Sequence, residues 1–159
     1  MNKTLKIVII SVVSCILLVS LAFFGYFMWA MLQLADIFVG DALEKDEIFE
    51  IVLDNKELIL AEIEADSFEK TSNIKGIKEV HSYENYVEFY CGGSGIGSGT
   101  TYSGFYYVED EQYLPENKVI DGYEMRNEGA GWCIFQVDGD NYYYFEKICD
   151  NFYYFYISL

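Results

Sequence analysis

The residues that could carry out acid–base or nucleophilic chemistry are few, and their spacing does not form a catalytic pair. His81 is the only histidine, and Cys91 follows it ten residues later. With a turn at Glu84-Asn85, His81 lies opposite Glu88, while Cys91 points to the other face of the strand pair. A loop of odd length puts His81 and Cys91 on one face but about 13 Å apart, which is too far for proton transfer. We therefore predict a surface histidine beside Glu88 and no catalytic dyad.

Two further patterns resemble ligand-binding loops but lack the residues that such loops need. The glycine stretch 92–100 has no lysine after its glycines and leads from one predicted strand into another, so it fits neither a Walker loop nor a phosphate site at a helix amino terminus. The string Asp138-Gly139-Asp140-Asn141 begins like a calcium loop, but Cys149 stands where a bidentate glutamate is required. We predict that both are connections between strands, and we predict no cofactor and no metal site.

Two periodicities define the elements that must position these residues. Before residue 76, apolar side chains recur at helical spacing, which predicts a helix over Asp41–Leu53 and an amphipathic helix over Asn55–Asp66, with Asp54 and Glu57 as a capping box between them. After residue 76 the period is two, which predicts six strands: Ile77–Ser82, Tyr86–Cys91, Tyr102–Val108, Trp132–Val137, Tyr142–Cys149 and Phe152–Leu159. The sequence thus predicts an α+β domain, an antiparallel meander of five or six strands with the amphipathic helix on one face.

Strand alternation collects most of the tyrosines on one predicted face of this sheet. Phe89, Phe145 and Phe155 represent the other, apolar face, which we expect to pack on the helix. An uncovered face with so many rings exceeds the apolar patch of an ordinary surface, and tyrosine hydroxyls add hydrogen bonds to the contact area. The predicted binding surface consists of Tyr86, Tyr90, Tyr102, Tyr106, Trp132, Tyr142, Tyr144, Tyr154 and Tyr156. The alternative is that these rings are buried against the acidic connection 109–131 or against the membrane-proximal helix.

Three cysteines follow the apolar amino-terminal run, and two of them are candidates for a disulfide. Cys133 and Cys149 belong to neighbouring strands, but their Cβ atoms are at best about 7–8 Å apart, where a disulfide needs about 4 Å. Cys91 and Cys149 both end their strands and both point to the predicted apolar face. We predict a Cys91–Cys149 disulfide and a buried free thiol at Cys133, because the cell exterior can be oxidising.

The amino-terminal run 7–35 has the length and composition of a membrane anchor. It contains no charged residue, and a bilayer core of about 30 Å needs about 20 apolar residues in a helix. Lys3 and Lys6 precede the run and acidic residues follow it, so the amino terminus is predicted to be cytoplasmic. The run is too long for a cleavable signal peptide and lacks a small-x-small site. The predicted organisation is a cytoplasmic segment 1–6, a transmembrane anchor and stalk 7–35, a helical segment 36–76 and an antiparallel β domain 77–159.

The charge of the chain limits its partners. All 26 acidic residues follow the anchor, together with eight of the ten Lys and Arg residues, which gives this part a formal charge of −18. Such a field repels nucleic acid and anionic lipid headgroups, so neither is an expected partner. It attracts cations and basic partners, although an acidic surface also serves solubility alone.

Three strings in the second half of the chain resemble a group of bacterial proteins. They are Phe89-Tyr-Cys-Gly-Gly-Ser-Gly, Tyr102-Ser-Gly-Phe-Tyr-Tyr and Lys147-Ile-Cys-Asp-Asn-Phe-Tyr-Tyr. They look like segments of small membrane-anchored or exported proteins of Gram-positive bacteria, a group for which we know of no activity. The resemblance implies a location outside the cytoplasm and implies no chemistry.

The sequence as a whole predicts a single-pass, membrane-anchored, extracellular binding or interaction module that is not catalytic. We assign no catalytic residue, and the expected partners are the membrane and a protein, a peptide or a cell-wall glycan. Two alternatives remain open. The carboxylates could supply a pair for a cell-wall hydrolase, but no pair can be selected without a fold. The chain could also be an accessory subunit of a membrane complex, which would require this particular anchor.

Overall fold

The structure is a computed structural model that describes residue 2 and residues 16–31, 42–95, 99–114 and 121–159. The chain divides into two units, Met1–Val39 and Gly40–Leu159. In the first unit, the described residues 16–31 form an α-helix, which we name α1. Its side chains are apolar on every side and remain exposed, with Phe23 at 72% and Val19 at 69%. The rings of Tyr26 and Trp29 lie 6.0 Å apart on the same helix.

The predicted anchor is only partly covered by these residues, because 7–15 and 32–35 lie outside the described part of the chain. Within the described part, no helix has both the length and the apolar character needed to cross a bilayer.

The second unit begins with one continuous helix, α2, Lys45–Glu64, where we predicted two. The predicted break at Asp54 is wrong, because the apolar stripe formed by Ile48, Val52 and Ile59 continues through it without a proline or glycine. The capping contact lies at the start of the helix instead, where the Glu44 amide donates to the Glu47 carboxylate at 3.0 Å.

Near the end of this helix, the buried carboxylate of Glu62 connects the helix to the segment that follows it. Glu62 accepts hydrogen bonds from the amides of Lys70 at 3.0 Å and Thr71 at 2.8 Å, where a short 3₁₀ helix, Thr71–Asn73, begins. Burial alone would raise the pKa of Glu62, but these hydrogen bonds lower the pKa below its usual value. The contact fixes how the chain leaves the helix and approaches the sheet.

The described residues of this unit form a seven-stranded antiparallel sheet: β1 Glu79–Ser82, β2 Tyr86–Ser94, β3 Thr101–Val108, β4 Tyr123–Glu128, β5 Gly131–Gln136, β6 Tyr142–Cys149 and β7 Phe152–Ser158. The α+β class and the antiparallel pairing are confirmed. The single meander is wrong, because the strand order is β1-β2-β3-β7-β6-β5-β4. Two meanders, β1–β3 and β4–β7, therefore meet where β3 pairs with β7.

The sheet carries an apolar core on each face. The face toward α2, which we call the helix-side face, packs Val87, Phe89, Phe105 and Phe152 against the helix. The opposite face, which we call the far face, holds a second buried cluster: Tyr106, Val108, Leu114, Ile134, Phe145, Tyr153 and Phe155. Phe145 and Phe155 are paired residues on the far face, so our assignment of both to the helix-side face is wrong.

The acidic connection after β3 covers part of the far face. A 3₁₀ helix, Glu111–Tyr113, follows β3, and the Leu114 side chain is 3% exposed within the far-face cluster. The Tyr153 hydroxyl donates to Glu111 at 2.5 Å, and Lys147 forms an ion pair with the same carboxylate at 3.3 Å. The connection is thus held to the far face through Tyr153, a ring outside the predicted tyrosine surface.

The predicted Cys91–Cys149 disulfide is not formed, and Cys91, Cys133 and Cys149 are free thiols. Two strands, β3 and β7, lie between β2 and β6, which separates the two cysteines by about 14 Å across the sheet. A disulfide requires Cα atoms within about 7 Å, so this strand order keeps the pair apart. Burial raises the pKa of the Cys91 thiol to about 12. Cys91 is therefore a core residue whose thiol is a poor nucleophile.

Candidate functional site

The structure divides the predicted tyrosine surface between the two faces of the sheet. Strand pairing places five of its members on the far face, namely Tyr86, Tyr90, Tyr102, Tyr106 and Trp132. The other four lie on the helix-side face, namely Tyr142, Tyr144, Tyr154 and Tyr156. The prediction of one continuous tyrosine face is thus wrong, because pairing of β3 with β7 places Tyr154 beside Phe105 and so inverts β7, and with it β6, relative to our assignment.

Two of the five far-face members, Tyr106 and Trp132, are structural. Tyr106 is 3% exposed and stacks on Phe155 with ring centroids 4.5 Å apart. Trp132 lies against Phe145 at 5.7 Å within the same cluster. These rings are core residues of the far face.

Tyr90 and Tyr102 form a separate pair on the far face, with centroids 6.2 Å apart. Tyr102 is 37% exposed, so this pair is accessible, and neither ring lines the cavity that the helix-side tyrosines form. It is a useful comparison for the tyrosines on the helix-side face.

The four helix-side tyrosines come together in an open groove of about 360 Å³, which we call the tyrosine groove. Its lining consists of Lys45, Glu128, Gly129, Tyr142, Tyr144, Tyr154 and Tyr156. The rings form two edge-to-face pairs, Tyr142–Tyr156 at 6.5 Å and Tyr144–Tyr154 at 6.3 Å, with interplanar angles of 61° and 62°. Tyr154 is 5% exposed, so it forms the floor of the groove, whereas Tyr142 and Tyr156 are only partly buried.

Carboxylates and one ammonium group hold the groove in shape. Glu146 accepts hydrogen bonds from the Tyr144 hydroxyl at 2.5 Å and from Lys45 Nζ at 2.6 Å. Lys45 Nζ also lies 5.9 Å from the centroid of the Tyr144 ring, which adds a cation–π contact. The Tyr142 hydroxyl donates to Glu128 at 3.1 Å. The groove therefore presents ring surfaces whose polar ends are already oriented.

Three tyrosines of the groove, Tyr142, Tyr144 and Tyr154, have hydroxyl groups with raised pKa values. Burial, reinforced by the hydrogen bond to Glu128, raises the pKa of Tyr142 to about 12. Burial also raises the pKa of Tyr154 to about 12, and burial with the Glu146 hydrogen bond raises the pKa of Tyr144. These three hydroxyls are thus neutral hydrogen-bonding groups at physiological pH.

The carboxylates of the groove are held in the ionised form. Hydrogen bonds from Cys133, Arg126 and Tyr142 lower the pKa of Glu128. Burial would raise the pKa of Glu146, but the hydrogen bonds from Lys45 and Tyr144 outweigh it, and the pKa is lowered. Both groups are therefore acceptors at neutral pH.

Sequence reasoning missed Lys45 and Glu128 as members of the groove. Lys45 lies 101 positions before Glu146 in the chain, and only the packing of α2 on the sheet brings them together. Glu128 belongs to β4, an edge strand that we did not predict. The sequence did indicate one contact of the groove: Tyr144 and Glu146 are two residues apart, so they share one face of a strand.

His81 and Cys91, the residues considered for a catalytic dyad, lie on neighbouring strands. His81 pairs in register with Glu88, as predicted for a turn at Glu84-Asn85, and its Nε2 lies 3.1 Å from Glu79. Cys91 lies in the helix-side core and makes no pair with His81. Among the described residues, no three His, Cys, Asp or Glu side chains are grouped to hold a metal ion.

Comparison of the chain with protein-family models, with curated proteins and with solved structures finds no match.

Proposed function

We propose that this chain is a single-pass membrane protein whose outer domain binds a cell-wall glycan in the tyrosine groove without catalysis. The observation that carries the proposal is the convergence of four tyrosine rings with oriented hydroxyl and carboxylate groups in one open groove. Protein and peptide ligands are the alternatives that share this surface.

A glycan fits the chemistry of the groove. Sugar rings present apolar C–H faces that stack on aromatic rings, and hydroxyl groups at their edges form hydrogen bonds. Tyr142 and Tyr156 offer partly exposed ring faces, while Glu128 supplies an ionised acceptor next to them. The groove is shallow and open, which suits a segment of an extended polymer better than a small molecule enclosed in a cavity.

The proposed location rests on the amino-terminal run and its flanks. The described helix α1 exposes apolar side chains on all sides, as a helix in contact with lipid would. Lys3 and Lys6 precede the run, and the acidic residues follow it, which favours a cytoplasmic amino terminus. The resemblance to exported proteins of Gram-positive bacteria supports the same compartment.

The lowered pKa values of the carboxylates in the groove support glycan binding rather than glycan hydrolysis. A glycoside hydrolase needs one carboxylic acid whose pKa is raised so that it can protonate the leaving group. Glu128 and Glu146 have lowered pKa values instead, because each accepts several hydrogen bonds. Neither carboxylate of the groove is therefore suited to act as the general acid of a wall hydrolase.

The topology is tested with the full chain in bacterial cells. Protease added to intact spheroplasts should remove everything beyond about residue 35, because the outer domain is expected to face the medium. Replacing residues 7–35 with an unrelated anchor should leave glycan binding unchanged. Full protection of the outer domain would contradict the proposed location, and loss of function upon anchor exchange would favour the accessory-subunit alternative.

The groove is tested by two matched pairs of substitutions. Tyr142 and Tyr156 are replaced by Ser in one variant, and Tyr90 and Tyr102 are replaced by Ser in the other, so that each removes two neighbouring rings from one face. In cosedimentation of the purified full chain with Gram-positive cell walls, the groove variant should bind at least tenfold more weakly. The far-face variant should bind within about twofold of the unsubstituted chain.

Two outcomes of this experiment would overturn the proposal. Equal binding by the groove variant and the unsubstituted chain would exclude the groove as the site. Failure of the unsubstituted chain to sediment with cell walls would exclude the glycan as the ligand. Near-ultraviolet circular dichroism of both variants separates lost binding from lost folding.

A further inference from the structure

A second cavity lies at the end of the sheet where the β1–β2 turn meets the exit of β3. It has a volume of about 370 Å³, and we call it the hairpin pocket. Its lining includes Ile63 in α2 and Phe68 just after that helix, together with Tyr83, Glu84, Tyr86, Glu109, Asp110 and Tyr113. None of its described lining residues belongs to the tyrosine groove.

The rings of the hairpin pocket are arranged to present an aromatic face to solvent. Tyr83 and Tyr86 stack with centroids 4.5 Å apart and an interplanar angle of 22°. Behind this stack, Tyr86 contacts the buried Tyr106 edge-on at 5.7 Å. The turn is closed by a hydrogen bond from the Tyr83 amide to the Tyr86 carbonyl at 2.9 Å. Tyr83 is 49% exposed, so its ring is supported on one side and open on the other.

The charged groups around these rings are negative. Glu84, Glu109 and Asp110 line the pocket, and its described lining includes no Lys or Arg. Asp110 is engaged by Gln112, whose amide donates to it at 3.1 Å. Within the described part of the chain, Glu84 and Glu109 form no hydrogen bond or ion pair. An aromatic face beside carboxylate groups is a favourable site for a cation.

At two other places in the same domain, a lysine contacts both a tyrosine ring and a carboxylate. Lys45 Nζ lies 5.9 Å from the Tyr144 ring centroid and 2.6 Å from Glu146. The second example has Lys147 Nζ 5.2 Å from the Tyr153 ring centroid. The same lysine lies 3.3 Å from Glu111. In the hairpin pocket the exposed ring of Tyr83 lies with the carboxylates of Glu84 and Glu109, and the described lining includes no lysine or arginine.

We propose that the hairpin pocket binds the cationic side chain of a basic peptide, an arginine or a lysine, over the open face of Tyr83 and between Glu84 and Glu109. The formal charge of −18 outside the anchor draws such a peptide toward the domain, and the pocket provides the specific contact. Arginine fits best, because its planar guanidinium stacks on a ring while its edge donates to carboxylates. This site is independent of the glycan groove.

The experiment uses the full chain in nanodiscs of zwitterionic lipid, so that the membrane itself does not attract the probe. The probe is an acetylated, amidated tri-arginine peptide, and its neutral counterpart carries citrulline at the same positions. Isothermal titration should show binding of the arginine peptide at least tenfold tighter than binding of the citrulline peptide. Substitutions Tyr83→Leu and Glu109→Gln should each weaken binding by about two- to fivefold.

Matched controls separate the pocket from general attraction by an acidic surface. Tyr102→Leu removes a comparably exposed ring, and Glu124→Gln removes an exposed carboxylate, both outside the pocket. Both should leave binding within about 1.5-fold of the unsubstituted chain. Equal weakening by Glu124→Gln and Glu109→Gln would overturn the proposal in favour of non-specific charge attraction. Equal affinity for the citrulline and arginine peptides would also overturn it. So would displacement of the arginine peptide by millimolar calcium together with unchanged affinity of the Tyr83→Leu variant for that peptide.

Discussion

The variant Phe89→Ala is expected to lose about 3–5 kcal/mol of the free energy of unfolding of the outer domain. Phe89 is fully buried between α2 and the sheet and stacks on Phe105 with centroids 4.5 Å apart and an interplanar angle of 9°. Phe68 contacts it edge-on at 6.2 Å from the segment after α2. Removal of the ring leaves a cavity that three elements line, and the rigid sheet limits how far it can collapse.

The loss is measured by urea unfolding of the full chain in detergent, followed by near-ultraviolet circular dichroism. A domain of this size has about 5–15 kcal/mol in total, so the variant should unfold at a much lower urea concentration. Tyr102→Ala is the control, because its ring is 37% exposed and should cost less than about 1 kcal/mol. Similar midpoints for Phe89→Ala and Tyr102→Ala would contradict the assigned core.

Gly104→Ala is expected to destabilise the domain by about 3 kcal/mol or more, although it adds only one methyl group. Gly104 lies in β3 at the centre of the sheet, opposite Tyr90 in β2 and Phe155 in β7. A Cβ atom at this position would lie 2.2 Å from the Phe89 carbonyl oxygen and 2.7 Å from Phe155 Cζ. Backbone and a buried ring cannot both move away, so the strand pairing itself must shift.

The control for this substitution is Gly99→Ala, which adds the same methyl group at a position where no atom of the described residues lies within 4 Å. Its free energy of unfolding should stay within about 1 kcal/mol of the unsubstituted chain. Unfolding of Gly104→Ala at the same urea concentration as Gly99→Ala would show that β2, β3 and β7 do not pair in this register.

Local patterns in the sequence predicted the local parts of the fold. The turn at Glu84-Asn85 and the alternation around it placed His81 opposite Glu88, as the structure has it. The turns at 138–141 and 150–151 also lie between the predicted strands. These features depend on neighbouring residues, whose chemistry is visible in the sequence.

Elements whose structure depends on tertiary contacts were harder to predict from the sequence. β4, Tyr123–Glu128, was missed because it is an edge strand with four exposed residues and so lacks an apolar alternation. The predicted helix break at Asp54 failed because a single aspartate costs little within a helix whose apolar stripe packs on a sheet.

The division of the tyrosines could not be derived from the sequence, because it depends on the order of the strands. Alternation defines two faces for each strand but does not say which face of β7 joins which face of β3. We grouped the phenylalanines together by type, whereas the pairing of Gly104 with Phe155 places Phe155 beneath Tyr106 on the far face. The same pairing places Tyr154 and Tyr144 against α2, and the groove follows from it.

Ring resonances of the tyrosines test most directly whether the groove is the binding surface. The full chain in nanodiscs is prepared with ¹³C-labelled tyrosine rings, and a soluble peptidoglycan fragment is titrated in while ring chemical shifts are recorded. We expect the largest changes at Tyr142 and Tyr156, because their partly exposed rings line the groove, and none at the far-face pair Tyr90 and Tyr102. Shifts confined to Tyr90 and Tyr102, or no shift in any tyrosine at saturating fragment, would contradict the proposal that the tyrosine groove binds cell-wall glycan.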